Sequence, residues 1–342
     1  MPPLSFVIFE LGVFVLALIC LRHAWQRTRY LAIAFLVTIV FSFSTEIFAI
    51  KLLHEYYYNS FFVMICREPG LPWGVNLSCT ASSSCVPLAI PVMESIVIYA
   101  AIVTSDRLNL PWAARPVFVG LLAISIDLVM DPVVSASLAC HATSRAVNPV
   151  VVGHGLGFWV WLFKPEQAAL GLPPEHNLLF GVPLNNFSGW FLSVLIYSLM
   201  LHMGWRKIPP GSKGILGDLI VPVVAIPLTL LAFAGVIAVY QWLITNVVGS
   251  EWTLVALILG ASILVILRFA RRARRDNPID RVILAVPLLL HVYFLGMLFA
   301  SNLYREEPVV IAVSAALFPL SLLLFSWPYW DSITRAFKTA RS

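Results

Sequence analysis

Apolar stretches of near-bilayer length recur along almost the whole chain, separated by short polar segments. Nine can be delimited, at roughly 4–21, 30–50, 86–104, 116–140, 180–203, 216–245, 252–269, 281–300 and 308–327. About 20 apolar residues, rising 1.5 Å each, cross a hydrocarbon core. The predicted fold class is therefore all-α: a polytopic transmembrane helix bundle, with residues 1–342 as a single integral-membrane domain. The run at 216–245 is too long for one straight crossing, so it is expected to tilt or to kink at Pro222 and Pro227. The first run has no basic residue before it and no small-residue cleavage pattern after it. It reads as a retained span and not as a cleaved signal peptide.

Charge gives this pattern a direction. Arg22, Arg27 and Arg29 follow the first span, Arg107 and Arg115 the third, and Arg206, Lys207 and Lys213 the fifth. Arg268, Arg271, Arg272, Arg274, Arg275 and Arg281 separate the seventh and eighth, and Arg335, Lys338 and Arg341 follow the last. These residues lie on one side; Lys51, Arg67, Arg145, Lys164 and Arg305 lie on the other. The positive-inside rule then places the N-terminus outside and the C-terminus in the cytoplasm of a multi-pass cell-membrane protein. Arg271, Arg272, Arg274 and Arg275 read as a topology signal that can also touch anionic lipid.

Composition agrees: 60% of residues are hydrophobic and 11% are charged. The net charge of +5 needs no nucleic-acid partner, because the basic residues sit beside spans. Two outside loops are long, 51–85 and 141–179, and carry Tyr56-Tyr57-Tyr58, Pro72-Trp73 and Gly157-Phe158-Trp159-Val160-Trp161. These aromatics read either as headgroup-level anchors or, at 158–161, as a short interfacial helix capping a cavity. Of the five cysteines, Cys79 and Cys85 are placed to form a small disulfide on an oxidising side. Cys140, His141 and His154 match no zinc spacing, so no metal is expected. His23, His202 and His291 read as interfacial or packed histidines. No phosphate loop or dinucleotide fingerprint is present, and no cofactor is expected.

Against this background the intramembrane acids stand out. Asp127 and Asp131 are four apart in one span, hence on one helix face. An unpaired carboxylate in a bilayer costs several kcal/mol, so such residues default to a functional reading. Glu46 near the outer end of span two, Glu94 in the first turns of span three, and Asn185 and Asn186 at the start of span five share the outer-half depth of Asp131. Common depth from four spans is what one cavity produces. Pro132 breaks the hydrogen-bond ladder beside Asp131, and Gly181, Pro183 and Gly189 allow an irregular entry and close helix packing.

These residues carry a family resemblance. Val86-Pro87-Leu88-Ala89-Ile90-Pro91, Asp127-Leu-Val-Met-Asp131-Pro132, Gly157-Phe-Trp159-Val-Trp161 and Gly181-Val-Pro183-Leu-Asn185-Asn186-Phe187-Ser-Gly189-Trp190 resemble the integral-membrane carotenoid biosynthesis proteins. Within these the similarity is to the CruF-type carotenoid 1,2-hydratases of bacteria and haloarchaea, bisanhydrobacterioruberin hydratase among them. It covers roughly residues 40–205; spans 216–327 match by hydropathy only. The resemblance implies addition of water across the terminal alkene of an acyclic carotenoid such as lycopene, giving a tertiary alcohol without a redox cofactor. It also implies membrane lipid and other carotenoid-pathway enzymes as surroundings.

The residue chemistry fits that reaction independently. Hydrating an isolated alkene needs an acid to protonate the less substituted carbon, and water then attacks the tertiary cation. A carboxylic acid in a low-dielectric site can serve as the acid. Asp131 is assigned that role, with Asp127 or Glu94 as its carboxylate partner. Trp159, Trp161, Phe187 and Trp190 offer faces to the cation, and Asn185, Asn186 and Glu46 can hold water or substrate. Two rival classes stay open: a secondary transporter, which predicts a polar route on both sides, and a non-catalytic carotenoid- or isoprenoid-binding protein, which predicts dispensable carboxylates. An aspartyl protease is disfavoured, because its acids face each other from two helices.

Overall fold

A computed structural model describes residues 4–50, 56–59, 61–66, 85–143, 146–163, 178–306 and 308–339. Nine helices among these are long and apolar enough to cross a membrane. They are α1 (Leu4–Arg27), α2 (Arg29–Phe48), α3 (Ala89–Arg107), α4 (Ala114–Val134), α5 (Leu184–Lys207), α6 (Gly214–Leu243), α7 (Glu251–Ala270), α8 (Arg281–Ala300) and α9 (Pro308–Ser326). A short amphipathic helix, α10 (Trp330–Thr339), ends the described chain. The multi-pass helical bundle read from hydropathy is therefore present, with every span matched.

Burial sorts the helices by their solvent. α3 and α4 are 94% and 83% buried and form the centre, whereas α7 and the α9 region are each only 22% buried. Lipid tolerates only apolar side chains, so the peripheral helices are among the most apolar. The central α3 can carry Glu94, Ser95, Thr104 and Ser105 because its neighbours are protein. α6 runs through Pro222 and Pro227 without a break and continues as a π-helical turn at Ile244–Val248. α1 packs against α2, α3 and α8.

One end of the bundle is basic. Asp280, the N-cap of α8, accepts from Arg27 at 2.5 Å and Arg107 at 2.8 Å, and His23 Nε2 lies 3.0 Å from the same oxygen. This carboxylate ties the ends of α1 and α3 to α8. Asp218 pairs with Arg29, and Asp106 with Arg115 and His202. Two of the histidines are thus packed at this interface, while His291 is buried against Phe318.

The opposite end is closed by strands, and here four expectations are corrected. The span expected at 116–140 stops at Val134. Pro132 cannot donate to the Leu128 carbonyl, and Ser135 donates both its backbone N–H and, at 2.7 Å, its Oγ to the Asp131 carbonyl as the chain turns into β4 (Ser135–Thr143). Second, the Phe158–Trp161 segment is neither a free anchor nor a helix: Trp159–Phe163 is a strand, β6. It pairs antiparallel with β1 (Tyr56–Tyr58) and parallel with β4, which pairs with β5 (Ala146–His154), in the order β1-β6-β4-β5. Third, Cys85 is bonded to Cys66 and not to Cys79, because β2 (Met64–Cys66) and β3 (Cys85–Pro87) pair antiparallel with the two cysteines opposite each other. Cys79, like Lys51, Arg67, Trp73, Arg145, Lys164 and Arg341, lies outside the described residues. Fourth, α3 begins at Ala89 and not at 86, which puts Glu94 about 8 Å below the helix start.

Two devices hold the sheet on the bundle. Glu10 of α1 accepts from the backbone N–H groups of Phe62 at 2.9 Å and Val63 at 2.7 Å. Gly155 allows the chain entering β6 to cross the end of α4: a Cβ there would stand 1.8 Å from the Ser135 carbonyl oxygen. That crossing lets Leu156 and Phe158 donate to the carbonyls of Val133 and Val134.

Burial alone would raise the Asp280 carboxyl, but His23, the Ile283 backbone and Arg27 outweigh it and hold it below the ordinary carboxylate range. A depressed folded-state pKa contributes stability above the ordinary value and loses it as pH falls. Asp280→Asn, which leaves Arg27 and Arg107 without their carboxylate, should cost about 3 kcal/mol near neutral pH. That difference from wild type should shrink as pH falls below about 4. Thermal unfolding in detergent across pH checks both statements.

Candidate active site

Just beneath the sheet, four carboxyl groups come together from three helices. Glu46 of α2, Glu94 of α3, and Asp127 and Asp131 of α4 are 7%, 5%, 2% and 2% exposed. Among the described residues none of them forms an ion pair; every ion pair lies at the basic end or in its loops.

Neutral donors take the place of cations. Glu46 Oε2 accepts from Tyr56 Oη at 2.7 Å and from Tyr58 Oη at 2.5 Å. Strand geometry explains the pair, since residues two apart point to the same face. By the same rule Trp159 and Trp161 share a face of β6, and the register sets Tyr56 against Trp161 and Tyr58 against Trp159. Their rings meet at 4.6 and 5.9 Å. The sheet therefore lowers four aromatic side chains onto the carboxyl cluster. Glu94 borders the same space as Glu46.

Two adjoining cavities frame the cluster. The larger, about 300 Å³, is bounded by α2, α3, α5, α6 and β1, and its lining includes Glu46, Tyr56, Glu94, Asn185, Asn186 and Trp190. The smaller, about 30 Å³, lies against Glu46, Tyr58, Glu94, Asp131, Trp159, Trp161, Asn186 and Trp190. Asn186 Nδ2 donates to Asp131 Oδ2. Compared with protein-family models, curated proteins and solved structures, the chain matches none. The geometry of this site is accordingly what bears on function.

Of the residues singled out from sequence, Glu46, Glu94, Asp131, Asn185, Asn186, Trp159, Trp161 and Trp190 all line these cavities. Two do not. Phe187 lines a separate apolar pocket with Ile124, Leu128, Phe191 and Trp252, because consecutive helical residues point about 100° apart. Asp127, one turn from Asp131, is within electrostatic reach of Glu46 and Glu94 but lines neither cavity. Among the described residues neither of its carboxylate oxygens has a hydrogen-bond partner.

Sequence reasoning missed Tyr56 and Tyr58 as site residues. The signal was present: Tyr-x-Tyr and Trp-x-Trp have the period-two spacing that puts both rings on one strand face. It also missed Tyr240, whose hydroxyl donates to Glu251 at 3.0 Å and accepts from Ser188 at 3.0 Å on the cavity wall. Chemically, the arrangement offers buried carboxyls without a cationic partner among the described residues, amide groups that can hold water, and indole faces around the same space.

Replacing Tyr58 by Phe removes one of the two hydroxyl donors to Glu46 while keeping the ring. The expected loss is about 1–2 kcal/mol of stability, and Tyr56→Phe/Tyr58→Phe should lose more than either single change. Unfolding of the purified variants in detergent measures this; unchanged melting of the double variant would contradict the assigned contacts.

Proposed function

We propose that the protein is a membrane carotenoid hydratase, a cofactor-independent hydro-lyase that adds water to the terminal alkene of an acyclic carotenoid. The observation that carries the reading is Asp131: a deeply buried carboxyl with no cation, one hydrogen bond from Asn186, and Trp159, Trp161 and Trp190 around the adjoining space. The motifs at 86–91, 127–132, 157–161 and 181–190 support it by their resemblance to the hydratase family.

In this reading Asp131 gives its proton to the less substituted alkene carbon, and the tertiary cation forms beside the indole faces. A water held by Asn186 and Asn185 attacks the cation through oxygen. The oxonium proton passes to the Glu94–Glu46 pair and returns to the Asp131 carboxylate before the next turnover. Glu94, which lines the same cavity, is the better-placed partner of the acid. Asp127 supports the negative field from one turn away. The product is a tertiary alcohol, and atoms balance with one water consumed. The expected setting is the cell membrane, with the sheet-bearing end outside and the basic end cytoplasmic. That orientation is consistent with a disulfide at Cys66–Cys85 on the oxidising side.

Expression in lycopene-producing cells, read by liquid chromatography–mass spectrometry, tests the proposal. A new pigment heavier by one water is expected. Asp131→Asn should lower its formation at least about 100-fold while the protein remains monodisperse. A folded Asp131→Asn protein that hydrates normally would remove Asp131 from the mechanism, and lycopene left unchanged by a well-expressed wild type would count against the substrate.

A further inference from the structure

Three glycines at helix contacts behave differently. At Gly120 a Cβ would meet the Phe191 ring at 2.9 Å, and at Gly204 it would meet Val221 at 2.5 Å. Both are demanded by close approach, of α4 to α5 and of α5 to α6. At Gly189 a Cβ would meet only Phe233 Cζ, at 3.8 Å, an ordinary contact. Neither clash nor backbone conformation calls for glycine there, since it is a helical residue without positive φ. Gly189 lines the large cavity.

α5 and α6 are antiparallel neighbours. They touch closely at Gly204–Val221, near the basic end; nearer the sheet Gly189 faces Phe233 without crowding, and Ser188 donates to Tyr240 at 3.0 Å. The uncrowded space beside Gly189 is part of a side wall of the cavity. Its other residues, Thr45, Phe48, Leu192 and Ile237, are half-buried, and Gln241 is exposed. α6 itself lies on the periphery of the bundle, with Leu228, Leu231 and Val239 exposed to lipid. The Phe48 and Phe233 rings stand 6.4 Å apart across the α2–α6 side of this wall. The sheet end, in contrast, is roofed by Tyr56, Tyr58, Trp159 and Trp161, all buried. Among the described residues, the cavity is covered at the sheet end and its partly exposed lining lies on the α2–α5–α6 side.

We infer that Gly189 and Phe233 form a lateral slot through which an apolar chain passes from the lipid, and that the missing side chain at 189 sets the size of that slot. The inference rests on the proposed function for the identity of the chain, an acyclic polyene. Its end group passes Gly189 and reaches Trp190, Asn186 and Asp131, while the remainder of the chain stays between α5, α6 and lipid. A leucine at 189 would fill the slot and meet Phe233.

The test separates entry from chemistry by using Asp131→Asn as the background, so that captured pigment is not converted. The full-length protein is purified from lycopene-producing cells, and pigment per protein is read from visible absorbance. Asp131→Asn is expected to carry pigment. Adding Gly189→Leu should lower the ratio about tenfold or more, and adding Phe233→Ala to that variant should restore it by reopening the slot. Gly235→Leu, on the same stretch of α6 with nothing within 4 Å, controls for the effect of leucine in a helix and should leave the ratio unchanged. In the active protein, Gly189→Leu should lower kcat/KM for hydration by a similar factor, with the same rescue. Equal pigment with and without Gly189→Leu would overturn the slot and leave the hydratase reading intact. A monodisperse Asp131→Asn protein without pigment would overturn the polyene ligand, and the slot with it.

Discussion

The constraint on which the structure turns is the burial of carboxyl groups in a bundle whose cations are all held at its ends or in its loops. Charged and polar groups inside a membrane protein must find partners within the protein. For Glu46 those partners are the Tyr56 and Tyr58 hydroxyls, which belong to a strand and not to a helix. The sheet is thereby more than a cover: the hydrogen bonds that satisfy the acids also lock β1 to α2, and β1 in turn holds β6 and its tryptophans over Asp131. Glu10 does the same for the turn after β1 by accepting two backbone N–H groups.

The two ends of the bundle divide the electrostatic work. At the basic end carboxylates meet arginines, and Asp280 gathers Arg27, Arg107 and His23 around one oxygen. Charge there is compensated by charge, which fixes helices α1, α3 and α8 relative to one another. At the sheet end carboxyls meet hydroxyls and an amide. Neutral donors do not hold a carboxyl in its charged form as an ion pair does. The contrast in partners is the physical basis for assigning packing to one end and chemistry to the other.

Helix periodicity explains how one short motif serves two purposes. Asn185, Asn186, Gly189 and Trp190 follow the spacing of a single helical face and line the cavity. Leu184, Phe187 and Phe191 occupy the adjacent face and line an apolar pocket against α4 and α7. Of the aromatics proposed to face a cation, Trp190 is kept by this division and Phe187 is moved into the packing. On α4 the shared face of Asp127 and Asp131 does not give them equal surroundings, because Asp131 lies at the level of the cavity and Asp127 a turn beneath it.

Hydropathy by itself determined the nine spans, because bilayer thickness sets helix length and lipid excludes polar residues from the periphery. The common depth of Glu46, Glu94, Asp131, Asn185 and Asn186 was equally legible, since rise per residue converts position into depth. Tertiary structure alone decided what closes the site. β1 and β6 are about 100 residues apart in sequence, and short aromatic runs do not reveal whether they anchor in lipid, form a helix or pair as strands. The same holds for Cys66 and Cys85, whose bond follows from the β2–β3 register, and for Gly189. Its motif suggested close helix packing; only the assembled fold shows that the glycine lines a cavity where no clash demands it. Local patterns report which face and how deep; long-range pairing and the space beside a helix depend on partners that no single segment contains.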